Sequence, residues 1–239
     1  MRILGIDTSA KAASAAVCDE TQLLCEATVN TKLTHSQTIM PMVQSMLENA
    51  HLPLQEVDVF AVSHGPGSFT GLRIGIAAVK GMAMALKRPC VGVSALEALA
   101  YNLRGFEGIV CAVMDARCNQ VYTAAFHTNR GSLIRLTDDS AMQMEELSRY
   151  LSQFNMPIFF VGDGAYLCYN NINTSIPNVF VAPEHLVNQN AASVCMLAHK
   201  ILSAAPEAAV SAEKLAPVYL RLPQAERELL QKQAGSRDV

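Results

Sequence analysis

Apolar and polar positions alternate in short runs from the start of the chain. Residues 2–6 are mostly apolar and end at Asp7-Thr8-Ser9, a turn sequence. Residues 12–17 and 23–29 repeat the pattern around a second turn, Asp19-Glu20-Thr21-Gln22, so three strands are expected. The period then changes. Ile39, Val43, Met46, Leu47 and Ala50 fall at helical spacing and predict a helix over 36–51, with Pro41 tolerable only in its first turn or at a kink. A buried-type strand over 57–63 leads into the loop His64-Gly65-Pro66-Gly67-Ser68. Thr70 is the expected N-cap of a helix running to Leu86. Residues 89–93 read as a strand, and Ser94-Ala95-Leu96-Glu97 as a capping box opening another helix.

The pattern begins again near Gly105. Strands are predicted at 108–114, 120–126 and 132–136, a helix at 144–154, and a strand at 158–161 that ends in Gly162-Asp163-Gly164. A short helix, a strand at 179–182 and a helix at 190–204 complete it. Both halves therefore read strand-strand-strand-helix-strand-helix. The first strand of each ends in Asp before a small-residue turn: Ile3-Leu4-Gly5-Ile6-Asp7 and Cys111-Ala112-Val113-Met114-Asp115. Such a repeat of about a hundred residues marks an internal duplication. Two facing βββαβα lobes make an α/β protein of the actin-like ATPase (ASKHA) fold. The expected division is 1–104, 105–222 and a polar tail at 223–239.

Composition narrows the class. With 51% hydrophobic and 16% charged residues in 239, the chain can bury a large core and has apolar surface to spare. The net charge is -3, and Lys and Arg are scattered except near 221–237, so a partner is expected to supply most of any grip on RNA. The seven cysteines have no CxxC spacing and read as reduced thiols. The longest apolar stretch, 74–86, is broken by Lys80 and too short to span a bilayer, and the N-terminus lacks a signal-peptide pattern. A cytoplasmic protein with no membrane contact is expected.

The segment Ser63-His64-Gly65-Pro66-Gly67-Ser68-Phe69-Thr70-Gly71-Leu72-Arg73-Ile74-Gly75 resembles the signature of the TsaB/TsaD family of tRNA threonylcarbamoylation proteins. Its Ser-Phe-Thr-Gly-Leu-Arg part resembles the TsaB branch. Gly5-Ile6-Asp7-Thr8-Ser9, His35-Ser36, Asp115-Ala116-Arg117 with Val121-Tyr122, and Pro217-Val218-Tyr219-Leu220-Arg221 do so too, in order, over residues 1 to about 225. The resemblance implies a scaffold subunit with no catalytic residues of its own. It would pair with a TsaD-like paralogue, help recruit a TsaE-like ATPase, meet tRNA through the complex, and form a homodimer when alone. The paralogue carries an HxxxH metal pair; Ala95 and Leu99 stand at the corresponding positions here and cannot ligate metal. No metal or cofactor of its own is expected, and ATP or ADP would sit at the complex interface.

Several residues keep two readings. Asp7, with Thr8 and Ser9, is either a phosphate-site group at the lobe cleft or a hairpin Asp that caps its own backbone. Asp115 and Arg117 are either a cleft pair or a salt-bridged turn. If Asp7 and Asp115 were functional, the chain would be an actin-like ATPase or kinase, the alternative to a scaffold. Small residues at 71, 75, 78, 81, 83 and 85 mark the helix 71–86 as one that something approaches closely, since each interior glycine costs about 1 kcal/mol against alanine. The approaching backbone is either the lobe's own or a partner's. The resemblance implies a partner bundle built from this helix and the preceding one, at His35, Ile39, Val43, Gly71, Arg73, Gly75, Ala78 and Lys80.

Overall fold

The computed structural model describes residues 1–20, 22–31, 33–117 and 119–221. The tail expected at 223–239 and Cys118 lie outside them. In the first half, β1 (Ile3–Asp7), β2 (Ala13–Cys18), β3 (Leu23–Val29), β4 (Val59–Gly65) and β5 (Cys90–Ser94) form a sheet ordered β3-β2-β1-β4-β5. In the second half, β6 (Gly108–Arg117), β7 (Gln120–Asn129), β8 (Ser132–Arg135), β10 (Ile158–Val161) and β11 (Val179–Val181) are ordered β8-β7-β6-β10-β11. The two orders correspond strand for strand. β1 and β6 each lie antiparallel to the next strand and parallel to the one beyond the first helix. A further strand, β9 (Ser140–Gln143), pairs with β7 and was not expected, because Ser-Ala-Met-Gln has neither the β-branched nor the aromatic residues that mark strands.

The helices are α1 (His35–Asn49), α2 (Phe69–Leu86), α3 (Ala95–Tyr101), α4 (Met144–Leu151), α5 (Ala165–Ile172) and α6 (Ala191–Ala204). Burial sorts them in a way that sequence order does not. α1 and α2 cover one face of the first sheet, where Ile39, Val43, Ile76 and Val79 meet Leu4, Ile6 and Val62. The other face is covered by α6 from the second half of the chain, with Val194, Cys195 and Ala198 against Ile3, Ala16 and Ala61. α3, from the first half, places Leu96 and Leu99 in the core of the second sheet. Each half thus lends a helix to the other sheet.

α2 is long and apolar enough, by length and composition alone, to cross a membrane. That exceeds the expected stretch because the helix begins at Phe69, capped by Ser68 and not Thr70: the Ser68 hydroxyl accepts the N–H of Gly71 at 3.2 Å. Gly71, Leu72, Gly75, Ile76, Val79, Met82 and Ala83 are buried, so one face covers the first sheet. In α1, Pro41 is the seventh residue of the helix and faces solvent, well past the first turn where its missing N–H is harmless.

Candidate functional site

The segments singled out in the sequence converge where the two lobes meet. Ser68 N–H donates to Ser9 O at 2.7 Å, and the Thr8 hydroxyl donates to Gly71 O at 2.8 Å. Gly71 and Gly75 are required by this contact: an added Cβ would stand 2.1 Å from Thr8 O at the first and 2.3 Å from Thr8 Oγ1 at the second. His35 Nε2 donates to Ala10 O at 2.6 Å, fixing the start of α1 over the same turn. The late segment closes the arrangement. Val218 N–H donates to His64 O at 2.8 Å, beside the cis Gly65–Pro66 bond, and the Tyr219 ring stacks on Phe69 at 4.5 Å.

A cleft of about 470 Å³ opens between the lobes, lined by Ser9, Lys11, Ser68, Asp115, Arg117 and Asp163 among others. Of the five residues read as nucleotide candidates, Ser9, Asp115 and Arg117 border it, whereas Asp7 and Thr8 do not. Asp7 is fully buried. Its Oδ1 accepts the Ser9 N–H at 2.8 Å and the Ser9 hydroxyl at 2.7 Å, and its Oδ2 accepts the Ser63 hydroxyl. Burial pushes the Asp7 carboxyl above its usual range, against the hydrogen bonds from Ser63 and Ser9 and the charge of His35. A group so enclosed holds a turn together and does not line the cleft.

Asp115, its counterpart in the repeat, is exposed. Its Oδ1 accepts the backbone N–H of Arg117 at 2.7 Å, so a side-chain-to-backbone bond closes the turn where one of the two readings had a salt bridge. Arg117, at φ 63°, is exposed beside the cleft. Asp163 approaches from the strand-to-helix turn, where Asp115 N–H reaches its Oδ1 at 3.4 Å. Burial raises the Asp163 carboxyl, while that N–H and the charge of Lys11 act the other way.

Ala95 and Leu99 are fully buried in the core of the second sheet, so the helix face that would carry an HxxxH pair packs as hydrocarbon. Among the described residues there is no group of three or more His, Cys, Asp or Glu placed to hold a metal ion. The expected capping box forms only in half. Ser94 accepts the Glu97 N–H at 3.1 Å, but the Glu97 carboxylate turns to Arg135 at 2.7 Å. Arg135 also binds Asp139 at 2.6 Å, and Asp139 accepts the Ser94 hydroxyl at 2.6 Å. Nothing in the sequence around 94–97 signals that ring, because its other members lie some forty residues away.

The residues read as a partner interface divide. Ile39 lies in the core under α1, and Gly71 and Gly75 face Thr8, so these three are corrected to internal packing, whereas Val43, though buried, also lines a groove along α1. Ala78 and Lys80 are half-buried, and Arg73 is exposed with its guanidinium 4.0 Å above the Phe69 ring. His35 is half-buried against Ala10. The outward face of α2 is a different stripe: Ala77, Gly81, Met84 and Ala85 are exposed, Met84 by 58%, and a Cβ added at Gly81 would meet nothing within 4 Å. A groove of about 720 Å³ runs along α1 and the segment 51–54, lined by Met40, Pro41, Gln44, Leu47 and Leu52, and reaches α2 at Met82.

Comparison with known proteins gives the same picture from outside. The family model described as "TsaD: tRNA N6-adenosine threonylcarbamoyltransferase" matches residues 24–229. The tRNA threonylcarbamoyladenosine biosynthesis protein TsaB of Bacillus subtilis is 31% identical over 236 residues, 98% of this chain and 100% of that protein. The structure of YeaZ from Pseudomonas aeruginosa superposes with a TM-score of 0.74 at 28% identity, over 92% of this chain and 99% of that one. Component A of the (R)-2-hydroxyglutaryl-CoA dehydratase of Acidaminococcus fermentans, at TM-score 0.50 and 11% identity over 85% of this chain and 99% of that one, shares the fold alone. Matched along nearly its whole length, with the paired sheets of the actin-like ATPase fold and the signature turns meeting at one cleft, the chain belongs to the TsaB (YeaZ) family.

Proposed function

We propose that this chain works in tRNA threonylcarbamoyladenosine biosynthesis as a non-catalytic subunit. It docks a TsaD-like paralogue on the outer faces of α1 and α2, holds that paralogue in its active form, and acts with a TsaE-like ATPase. Its contact with tRNA runs through the complex, and its place is the cytoplasm. Without the paralogue the same face pairs two copies of the chain. ATP or ADP binds, on this reading, where the complex borders the cleft.

The observation that carries the reading is the two-sided character of α2. A helix that only covered its own sheet would turn polar residues outward. Here Ala77, Gly81, Met84 and Ala85 face out beside an apolar groove, so water is left against hydrocarbon that a partner would bury. An actin-like ATPase would need Asp7 at the cleft, and its burial speaks against that alternative. A peptidase would need metal ligands where Ala95 and Leu99 pack.

Charge on this face gives the test. Ala77→Glu and Gly81→Arg put an unpaired charge into the proposed contact while sparing the core, so the Kd for the TsaD-like paralogue should rise about 100-fold or more, measured by titration calorimetry. Gly81→Ala, by contrast, should raise stability by about 0.5–1 kcal/mol through helix propensity, because its methyl meets open space. Unchanged affinity in both charged variants would move the contact elsewhere.

A further inference from the structure

We propose that residues 217–221 form a latch across the mouth of the cleft, and that Arg73 couples this latch to the outer side of α2. The coupling to a bound partner rests on the reading above; the latch does not. The segment is held on both lobes. On the first, Val218 N–H donates to His64 O at 2.8 Å and Tyr219 stacks on Phe69 at 4.5 Å. On the second, the Arg221 guanidinium donates from Nη1 to Ala116 O at 2.7 Å, at the tip of the β6–β7 hairpin that carries Asp115 and Arg117. Val218, Tyr219, Leu220 and Arg221 all line the cleft, so its width depends on where this segment lies.

Arg73 ties the latch to the proposed docking helix. Its Nε donates to the Tyr219 hydroxyl at 3.0 Å while its guanidinium covers Phe69 at 4.0 Å. Arg73 sits on the first turns of α2 and is exposed, in line with Ala77 and Gly81 one and two turns on. A group that approaches this stripe competes for the Arg73 side chain. Drawing Arg73 away strips Tyr219 of its hydrogen bond and of the cation that holds the stack. The bond from Arg221 to the second lobe lies two residues further on. The segment seats closely on the first lobe at Gly65, where an added Cβ would stand 2.2 Å from Val218 O.

Amide hydrogen exchange read by mass spectrometry tests this in the isolated chain, with no partner present. In Arg221→Ala, the peptide covering the β6–β7 tip, 115–120, should exchange about tenfold faster, the factor set by loss of one charge-assisted hydrogen bond. Peptides from β1 and β10 serve as the reference for an intact fold and should not change. Arg73→Ala should quicken the same tip, although Arg73 touches neither Ala116 nor the hairpin, because the effect passes through Tyr219. An unchanged tip in both variants overturns the proposal, as does acceleration spread equally over β1 and β10. A tip that responds to Arg221→Ala but not to Arg73→Ala overturns the coupling. Failure of the paralogue to bind would leave these exchange results standing, so the two readings fail separately.

Discussion

Gly162→Ala should be among the most damaging single-methyl changes in this chain, lowering stability by about 3–5 kcal/mol. Two costs meet at the position. Its φ of 114° lies in a region that L side chains avoid, and an added Cβ would stand 2.1 Å from Val113 O and 3.0 Å from Leu99 Cδ1. The carbonyl belongs to β6, whose neighbours on both sides hold it in register, so it cannot retreat cheaply. Each kcal/mol moves the melting point by about 2–4 °C in a chain of this size, so thermal unfolding should shift down by about 6–20 °C. A shift of only a degree or two would mean that the Gly162 turn rearranges freely to admit the methyl.

Asp7→Ala should cost about 3 kcal/mol or more, with no accompanying loss of an intrinsic activity. The substitution leaves the Ser9 N–H, the Ser9 hydroxyl and the Ser63 hydroxyl without their acceptor in a fully buried place. Asp7→Asn keeps one acceptor oxygen and should lose roughly half as much. Denaturant unfolding of the two variants measures this directly. The ATPase alternative predicts another result: nucleotide turnover by the isolated chain that vanishes in Asp7→Asn while stability is held.

Much of the fold was legible because its elements carry strong local signals. Turn residues bracket each strand, and the spacing of Ile39, Val43, Met46 and Leu47 marks α1 by itself. The paired Asp turns revealed the duplication, which the matching strand orders of the two sheets bear out. What the sequence hid is decided at long range. α6 and α3 have the apolar character of any buried helix, and only packing shows that each covers the other half's sheet. Asp7 could not be told from a phosphate ligand, because the group that encloses it from the neighbouring strand β4, Ser63, is fifty-six residues away.

The small residues of α2 show the same limit more sharply. Positions 71 and 75 lie four apart, and so do 77, 81 and 85; the pattern announces close approach without saying on which side. Gly71 and Gly75 proved to admit Thr8 of the chain's own first turn, while Ala77, Gly81 and Ala85 point outward. Sequence reading placed Gly71 and Gly75 in the interface and left Ala77, Gly81 and Ala85 out of it. The late Pro217-Val218-Tyr219-Leu220-Arg221 segment was recognisable as a signature but mute as to role, since its partners His64, Phe69, Arg73 and Ala116 are spread over the preceding chain.

The central claim is that the chain enables chemistry performed by its paralogue. The most direct measurement is a reconstituted tRNA modification reaction containing the TsaD-like paralogue, the TsaE-like ATPase, the adenylate-forming enzyme, ATP, threonine, bicarbonate and unmodified tRNA, run with this chain, without it, and with its Gly81→Arg variant. The account predicts modification with the wild-type chain, little or none without it, and a loss with Gly81→Arg that excess variant partly restores. Equal modification in the presence and absence of the chain would contradict it.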